Sequence, residues 1–237
     1  MSLTLYYLPL RARAEPIRMI LSYGNVDYKN IIISLSDWAA LNDKLEISPF
    51  GQLPSIKLTN GTVIAQTAAI VRYVAKLAGL YPSNPEECAE ADMLLELAQD
   101  MNVINPLLNY YPVVSEDFKR KYGSLLYFSH HVVHFGYCWK RNIAEYFSKL
   151  PTLLKAMEKI LGGKKFFGGE SPYYADFSIF NILYNTIELE PKSLDDAPTM
   201  IAWMESMKSL PTLKKYLAER PNAPDVGIPG SYIVTKK

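Results

Sequence analysis

The chain changes its sequence pattern at residues 79–85, which are Gly-Leu-Tyr-Pro-Ser-Asn-Pro. Two prolines within four residues can continue neither a helix nor a central strand, because each lacks a backbone N–H and has a fixed φ. Strand-like and helical stretches alternate before this segment, whereas only long helical patterns follow it. We therefore predict a domain over residues 1–79, a linker at residues 80–85 and a second domain over residues 86–220.

The first domain has the pattern of a mixed α/β unit. Its predicted strands contain β-branched or alternating apolar residues, and its predicted helices carry apolar residues at helical spacing. In chain order the pattern predicts a strand at 3–8, a helix at 15–23, strands at 28–33, 55–58 and 62–64, and a helix at 66–78. Asn60-Gly61 is a strong hairpin signal, because both turn positions accept positive φ. We interpret this part as a βαβαββα unit.

The second domain shows no strand-like alternation. The apolar spacing predicts five helices, at 86–108, 116–150, 151–161, 174–187 and 198–217. We therefore predict an all-α domain. Residues 221–237 contain several prolines, and we predict an irregular C-terminal tail there.

The composition excludes several classes of function. A net charge of +1 gives no electrostatic field for nucleic acid, and no segment approaches the apolar length of a membrane span. Two cysteines, Cys88 and Cys138, are too few for a disulfide framework, which favours a reducing, cytoplasmic location. His130, His131 and His134 invite a metal hypothesis, but no third ligand is in view beside the pair at helical spacing. We expect no metal.

The segment 50–55, Phe-Gly-Gln-Leu-Pro-Ser, carries the clearest binding signal together with Gln66-Thr67. Gln52 and Gln66 offer amide donors and acceptors, and Thr67 adds a hydroxyl at a predicted helix start. This combination suits a carboxylate. A cis bond between Leu53 and Pro54 would turn the backbone and let Leu53 pair with a ligand that has its own peptide backbone. The alternative is an ordinary loop, since Gln-Leu-Pro is common there.

These features resemble the cytosolic glutathione transferases over nearly the whole chain. The segment from Tyr7 to Arg13, Tyr-Leu-Pro-Leu-Arg-Ala-Arg, is similar to the Tyr-x-x-x-Arg-Gly-Arg segment of the tyrosine-type classes (alpha, mu, pi and sigma). The resemblance implies a thioredoxin-like domain that binds glutathione, followed by a helical-bundle domain. Two departures are Ala12, where the family usually has Gly, and Tyr173, where it usually has a Ser or Thr helix cap.

The resemblance also implies which residues bind and activate glutathione. Tyr7 takes the catalytic position, where its hydroxyl would donate a hydrogen bond to the sulfur and favour the nucleophilic thiolate. Tyr6 is the competing candidate, but strand alternation places it on the opposite face. The residues that match the pi-class glutathione site are Arg13, Trp38, Lys44, Gln52, Leu53, Pro54, Gln66, Thr67 and Asp100.

Within this set the resemblance divides the roles by charge. Arg13, Trp38 and Lys44 would hold the glycine carboxylate of glutathione. Gln66 and Thr67 would meet the γ-glutamyl carboxylate at a helix N-terminus, where backbone N–H groups favour an anion. Asp100 would reach over from the partner subunit to the γ-glutamyl ammonium.

Two further sets follow from the same resemblance. Phe50 stands where related enzymes carry the aromatic key that enters the partner subunit, so a homodimer is implied. An electrophile pocket would be walled by Leu8, Leu10, Tyr110 and Tyr111, although such residues are equally suited to a core.

We therefore interpret the chain as a homodimeric glutathione transferase that conjugates the thiolate of glutathione to apolar electrophiles, as in detoxification. Glutathione is the co-substrate in this interpretation. A sigma-like, glutathione-dependent isomerase is the closest enzymatic alternative. The rival from another class is a transferase-fold protein that binds ligands or serves a structural role without turnover.

Overall fold

The computed structural model describes residues 3–104 and 132–220. The strands within these residues are β1 (Leu3–Tyr7), β2 (Tyr28–Ile32), β3 (Ser55–Lys57) and β4 (Val63–Ala65). The α-helices within them are α1 (Glu15–Tyr23), α2 (Leu35–Ala40), α3 (Thr67–Leu77), α4 (Pro85–Ile104), α5 (Val132–Leu161), α6 (Tyr174–Leu189), α7 (Pro198–Ser209) and α8 (Pro211–Glu219). The predicted fold class, a βαβαββα unit followed by helices, is confirmed.

The four strands form one mixed sheet in the order β2-β1-β3-β4. β1 pairs with β2 in parallel, as a βαβ opening requires, and the other two pairings are antiparallel. Leu5 on β1 and Ile56 on β3 are fully buried opposite one another. The sheet therefore fixes the end of β1 beside the beginning of β3, where two of the predicted site segments lie.

The predicted hairpin between β3 and β4 is present. Gly61 has a φ of +88°, a value that glycine adopts without steric cost. The side chain of Asn60 accepts a hydrogen bond from the Thr62 N–H at 3.0 Å, and the Leu58 N–H donates to the Thr62 carbonyl at 2.9 Å. The turn thus sets the register that brings β4 and the start of α3 back beside β3.

The helical part is built around α6, which packs mainly against α4 and also contacts α1. The rings of Tyr23 on α1 and Phe177 on α6 meet edge to face with centroids 5.3 Å apart. A second connection runs from α3 to α4, where Arg72 pairs with Asp92 at 2.8 Å and with Glu96 at 2.6 Å. These contacts hold the sheet unit against the helices. The predicted linker at residues 80–85 falls between the end of α3 and the start of α4, and its exact bounds remain a prediction.

The start of α6 departs from the usual Ser or Thr cap, as expected, and is held by Asp176 instead. Its carboxylate accepts hydrogen bonds from the Tyr173 N–H at 2.8 Å, the Phe167 N–H at 3.0 Å and the indole N–H of Trp203 at 3.0 Å. Tyr173 occupies the N-cap position, and its side chain makes no capping hydrogen bond. One buried carboxylate therefore joins the helix start to the preceding loop and to α7.

Two predicted helix boundaries are wrong. Pro151 does not begin a helix, because α5 continues through it. Leu150 and Leu154 are buried on either side of this exposed proline, and their burial outweighs the hydrogen bond that a proline removes. Conversely, the single helix predicted at 198–217 is broken at Leu210, which is extended (φ −60°, ψ 122°) because Pro211 follows it.

The helix α2 takes the second helical position of the predicted βαβαββα unit, but the sequence analysis gave no bounds for it. Ser34 caps it by accepting a hydrogen bond from the Asp37 N–H at 3.0 Å. The signal was present, since Ser-x-x-Asp is a helix-start pattern, but the helix is too short to show a clear apolar period. In the part of the chain that the structure describes, no helix has the length and apolar character needed to cross a membrane.

Candidate glutathione site

A cavity of about 490 Å³ lies where four separate segments of the first domain meet. Seven of the nine residues predicted to bind glutathione line it, together with Gly51. The lining residues are Arg13, Trp38, Gly51, Gln52, Leu53, Pro54, Gln66 and Thr67. Residues that are up to 54 positions apart in the sequence are thus brought to one concave surface. A site of this form can enclose a small polar ligand.

The start of α3 forms one side of the cavity. Gln66, its N-cap residue, has φ +72° and ψ 120°, a conformation that non-glycine residues rarely adopt. Strain of this kind is concentrated at functional sites. The Nε2 of Gln66 lies 3.5 Å from the Oε1 of Gln52, so the two predicted amides stand together. Thr67 follows as the first residue of the helix and is buried. The two amide side chains and the N-terminus of α3 therefore lie together at this side of the cavity. Such an arrangement favours the binding of an anion.

The loop before β3 forms the floor. The Leu53–Pro54 peptide bond is cis, as the sequence analysis expected. The hydroxyl of Ser48 donates to the Gln52 carbonyl at 2.6 Å, and the hydroxyl of Ser55 donates to the Ile47 carbonyl at 2.8 Å. These two buried serines hold in place the loop from which Gln52 and Leu53 line the cavity.

Gly51 is a lining residue that the sequence analysis did not assign to the site. Its φ is +59°, and a side chain built there would come within 3.8 Å of the Cβ of Lys44. The signal was its position directly before Gln52. The residue lets the loop turn into the cavity beside Lys44.

Cationic and aromatic side chains also belong to the site: Arg13 and Trp38 line the cavity, and Lys44 lies beside Trp38 without lining it. The Nζ of Lys44 lies 5.5 Å from the centroid of the Trp38 ring, within the range of a cation–π contact. The guanidinium of Arg13 reaches the Oε1 of Gln99 on α4 at 3.5 Å, a contact that sequence analysis missed. The cavity is thus lined by a cationic side chain, Arg13, and by the N-terminus of α3, while Lys44 contacts the lining residue Trp38.

Tyr7 ends β1 and is connected to the cavity through Arg13. Its phenol oxygen accepts a hydrogen bond from the Arg13 N–H at 3.2 Å, and the ring is buried. A phenol oxygen that accepts a hydrogen bond is polarised and becomes a better O–H donor. Tyr6 alternates with Tyr7 in burial, as expected for opposite faces of the strand. Tyr7 is not itself among the lining residues.

The loop between Tyr7 and Arg13 contains the predicted departure at Ala12. Its φ is +33°, on the positive side that favours glycine, and the residue is buried. The Nδ2 of Asn181 on α6 lies 3.4 Å from its carbonyl oxygen. Alanine therefore adopts a positive φ at this position, and the Arg13 N–H reaches the Tyr7 oxygen.

The other predicted residues lie apart from the cavity or outside the described residues. Asp100 is exposed on α4 and does not line the cavity of its own chain. Leu8 and Leu10 are half-buried near Tyr7. Tyr110 and Tyr111 lie outside the described residues, as do His130 and His131, and the side chain of His134 is not described. Within residues 3–104 and 132–220, no group of three His, Cys, Asp or Glu side chains is placed to hold a metal ion.

Comparison with known families gives a consistent result for both parts of the chain. Residues 12–77 match the family model "Glutathione S-transferase, N-terminal domain", and residues 116–220 match "Glutathione S-transferase, C-terminal domain". "Probable glutathione S-transferase 6" of Caenorhabditis elegans is 30% identical over 223 residues, covering 93% of this chain and 97% of the relative. The chain belongs to the glutathione S-transferase family.

Other relatives have comparable similarity. "Glutathione S-transferase P 1" of Xenopus laevis is 29% identical over 218 residues, covering 90% of each chain. "Hematopoietic prostaglandin D synthase" of Gallus gallus is 27% identical over 218 residues, covering 92% of this chain and 96% of the relative. Among solved structures, a monomeric glutathione S-transferase of the hookworm Necator americanus superimposes with a TM-score of 0.75 at 26% identity, over 94% of this chain and 99% of that one.

Proposed function

We propose that this protein is a glutathione transferase that binds glutathione in the described cavity and directs its thiolate at apolar electrophiles. The observation that carries the proposal is the convergence of seven predicted glutathione-binding residues on one cavity, with the Tyr7 hydroxyl fixed beside the Arg13 backbone. Family membership and names of relatives support the same activity.

The cavity and its neighbouring residues offer groups that suit both carboxylates of glutathione. Arg13, Trp38 and Lys44 provide cations and an indole donor for the glycine carboxylate. Gln66 and Thr67 at the start of α3 suit the γ-glutamyl carboxylate, since backbone N–H groups and the helix dipole both favour an anion there. The peptide groups of Leu53 would pair with the cysteinyl backbone between them.

The chemical step needs a thiolate. The Tyr7 hydroxyl donates a hydrogen bond to the cysteinyl sulfur, which stabilises the anion and releases the thiol proton to solvent. The sulfur then forms a bond to an electrophilic carbon. In an aromatic substitution the leaving group departs with its electron pair, and in an addition the electrons move onto the acceptor, which takes a proton from water.

The electrophile would bind next to Tyr7. Leu8 and Leu10 are half-buried near it, and Tyr110 and Tyr111 would complete an apolar wall. Such a pocket suits detoxification of apolar compounds. The low cysteine count supports a cytoplasmic location for this role.

A homodimer would complete the glutathione site. Asp100 of the partner subunit would meet the γ-glutamyl ammonium, which explains why an exposed Asp100 lies apart from the cavity of its own chain. Phe50 is 63% exposed, and an aromatic ring on a loop gains most by filling a pocket on a partner.

Two measurements on the wild-type protein test the proposal. Titration calorimetry with glutathione should show saturable binding, and steady-state assays with a generic aryl halide should show conjugation. Binding without turnover of any electrophile would favour the non-catalytic alternative. Absence of glutathione binding would contradict the proposal, and S-methylglutathione, which lacks the thiol proton, serves as a control for recognition alone.

A further inference from the structure

A buried ion-pair cluster lies behind the loop between Tyr7 and Arg13, outside the glutathione cavity. Glu15 and Arg18 on α1 are 1% and 6% exposed, and the Nη1 of Arg18 lies 3.2 Å from the Oε2 of Glu15. The other carboxylate oxygen, Oε1, accepts hydrogen bonds from the Tyr216 hydroxyl at 3.0 Å and from the Nη1 of Arg220 at 2.8 Å. The helix α8 is therefore joined to α1 through one carboxylate.

The same cluster reaches Tyr7 through Arg18. Its Nη1 donates to the Leu10 carbonyl at 3.0 Å and lies 3.5 Å from the Arg11 carbonyl, so it holds the loop that leads to Arg13. Its guanidinium carbon lies 5.7 Å from the centroid of the Tyr7 ring, within cation–π distance. Among the described residues, the Nε and Nη2 of Arg18 have no hydrogen-bond partner. Burying N–H groups without acceptors costs free energy, and the contact of the guanidinium with the face of the Tyr7 ring offsets part of that cost.

The charges around the cluster explain why it is stable in a buried place. A buried guanidinium needs a counter-ion, and Glu15 supplies one. Arg220, the residue directly after α8, adds a second cation on the same carboxylate. Tyr28 from β2 and Tyr216 from α8 also face the cluster, and burial raises the pKa of both phenols. Both phenols are therefore protonated at neutral pH, and the Tyr216 hydroxyl can donate its hydrogen bond to Glu15.

We infer that Glu15 and Arg18 are positioning residues for Tyr7, and that α8 holds them in place through Tyr216 and Arg220. Arg18 acts in two ways. It fixes the carbonyls of the loop whose Arg13 N–H binds the Tyr7 oxygen, and its charge faces the Tyr7 ring, which makes the phenol a stronger hydrogen-bond donor. The inference rests on the proposed function, because it assigns these residues a part in activating the thiol of glutathione.

The test uses variants at both ends of the cluster. Arg18→Met removes the cation, Arg18→Lys retains it, and Tyr216→Phe removes only one hydrogen bond to Glu15. Lys214→Met is the matched control, since Lys214 is an exposed residue of the same helix. For each variant, kcat/KM for conjugation is measured at pH 6.5 and at pH 8.5, together with the KM for glutathione.

Loss of a cation–π contact worth roughly 0.5–2 kcal/mol predicts that Arg18→Met lowers kcat/KM about 2- to 30-fold at pH 6.5. The loss should be much smaller at pH 8.5, where more of the thiol ionises without help, and the KM for glutathione should change little. Arg18→Lys should recover most of the activity. Tyr216→Phe should lose about threefold at pH 6.5, and Lys214→Met should match the wild type.

A second readout does not depend on turnover. In protein labelled with carbon-13 at the tyrosine Cζ, the Tyr7 resonance is assigned by its disappearance in Tyr7→Phe and is then titrated with base. The inference predicts that the Tyr7 resonance titrates at higher pH in Arg18→Met and Tyr216→Phe than in the wild type. If the Arg18 variant does not fold, the Tyr7 titration in Tyr216→Phe alone tests the inference.

An unchanged Tyr7 titration in a folded variant would overturn the inference, as would an activity loss of equal size at both pH values. These outcomes differ from failure of the proposed function. That failure would appear in the wild type as an absence of glutathione binding, whereas the Tyr7 titration would still report whether the cluster acts on the phenol.

Discussion

Two residues with unusual backbone conformations belong to the candidate site, one in the loop between Tyr7 and Arg13 and one at the cavity. Ala12 has a φ of +33° and Gln66 a φ of +72°. Neither is glycine, so each conformation costs free energy that the surrounding structure must offset. At Ala12 the offset includes its burial and the nearby Asn181 amide. At Gln66 it includes the first turn of α3, where the Ile70 N–H donates to the Gln66 carbonyl at 3.0 Å.

The strain at Ala12 can be measured against its neighbour Ala14, which is equally buried but has a helical conformation (φ −85°, ψ −13°). Ala14→Gly should destabilise the protein by about 1 kcal/mol, from lost burial and greater freedom of the unfolded chain. In Ala12→Gly, relief of the positive φ should offset the same costs, leaving the free energy of unfolding nearly unchanged. Urea denaturation of the two variants measures the difference. Equal destabilisation would show that Ala12 is unstrained.

The sequence predicted most of the cavity at the residue level, because the motif residues lie on loops whose form is set locally. Gln52, Leu53 and Pro54 are consecutive, and Gln66 and Thr67 mark a helix start. Gly51 and the contact between Arg13 and Gln99 were missed. The role of Gly51 depends on its positive φ, which the sequence alone does not show. The contact between Arg13 and Gln99 joins residues 86 positions apart, so no local sequence pattern predicts it.

At the level of elements, the boundaries that sequence analysis placed wrongly all involve prolines or short helices. Pro151 lies inside α5, because the free energy gained by burying Leu150 and Leu154 exceeds the cost of the hydrogen bond that the proline removes. Pro211 ends one helix and begins the next, because Leu210 before it is extended. A local rule says what a proline disfavours, whereas the packing around it determines the outcome.

The carboxylate that holds the start of α6 should make stability depend on pH. Burial raises the pKa of Asp176 from 3.8 to about 6, while its N–H donors oppose the shift. The folded state then binds the proton more tightly than the unfolded chain. This contribution to stability is therefore complete below about pH 4 and is lost as the pH rises to about 6, a change of about 3 kcal/mol.

Asp176→Asn removes the titrating carboxyl group. The free energy of unfolding of this variant should therefore lack the decrease between pH 4 and pH 6. Urea midpoints of the wild type and the variant, measured between pH 4 and pH 7, give the comparison. The wild type should lose stability relative to the variant as the pH rises. Parallel curves would show that Asp176 has an ordinary pKa in the folded protein.

At the scale of the whole molecule, the proposed dimer depends on Phe50. A closely matched control exists on a neighbouring segment, since Leu45 is 65% exposed and Phe50 is 63% exposed. Phe50→Asp should convert the dimer to monomers by placing a charge in the partner's pocket, whereas Leu45→Asp should leave it intact. Sedimentation velocity at low micromolar concentration separates the outcomes. A monomeric wild type, like the Necator relative, would contradict the proposal.

In the proposed dimer, Asp100 of each subunit should contribute to the glutathione site of the other subunit. Asp100→Ala should weaken glutathione binding about tenfold or more, because a charge-assisted hydrogen bond to the ammonium contributes about 1.5–3 kcal/mol. Catalysis at saturating glutathione should change less. An unaltered affinity, measured by calorimetry, would show that Asp100 is only a solvated helix residue.

A mixed dimer then determines which chain Asp100 serves. One subunit carries Asp100→Ala and the other carries Tyr7→Phe. If Asp100 acts on the partner, the intact carboxylate completes the pocket that retains Tyr7, and one active site per dimer has normal glutathione affinity. If it acts within its own chain, the active site has the weakened affinity.

The proposed transferase activity depends on Tyr7, and replacing this residue by phenylalanine is its most direct test. Tyr7→Phe removes one hydroxyl, so conjugation of an aryl halide should fall by roughly 10²–10³, the usual loss for a donor that stabilises a developing anion. Glutathione affinity should be retained, since the cavity lining is unchanged. Tyr6→Phe, on the opposite face of the same strand, should have little effect. Undiminished turnover in Tyr7→Phe, or a loss in Tyr6→Phe instead, would contradict the assignment.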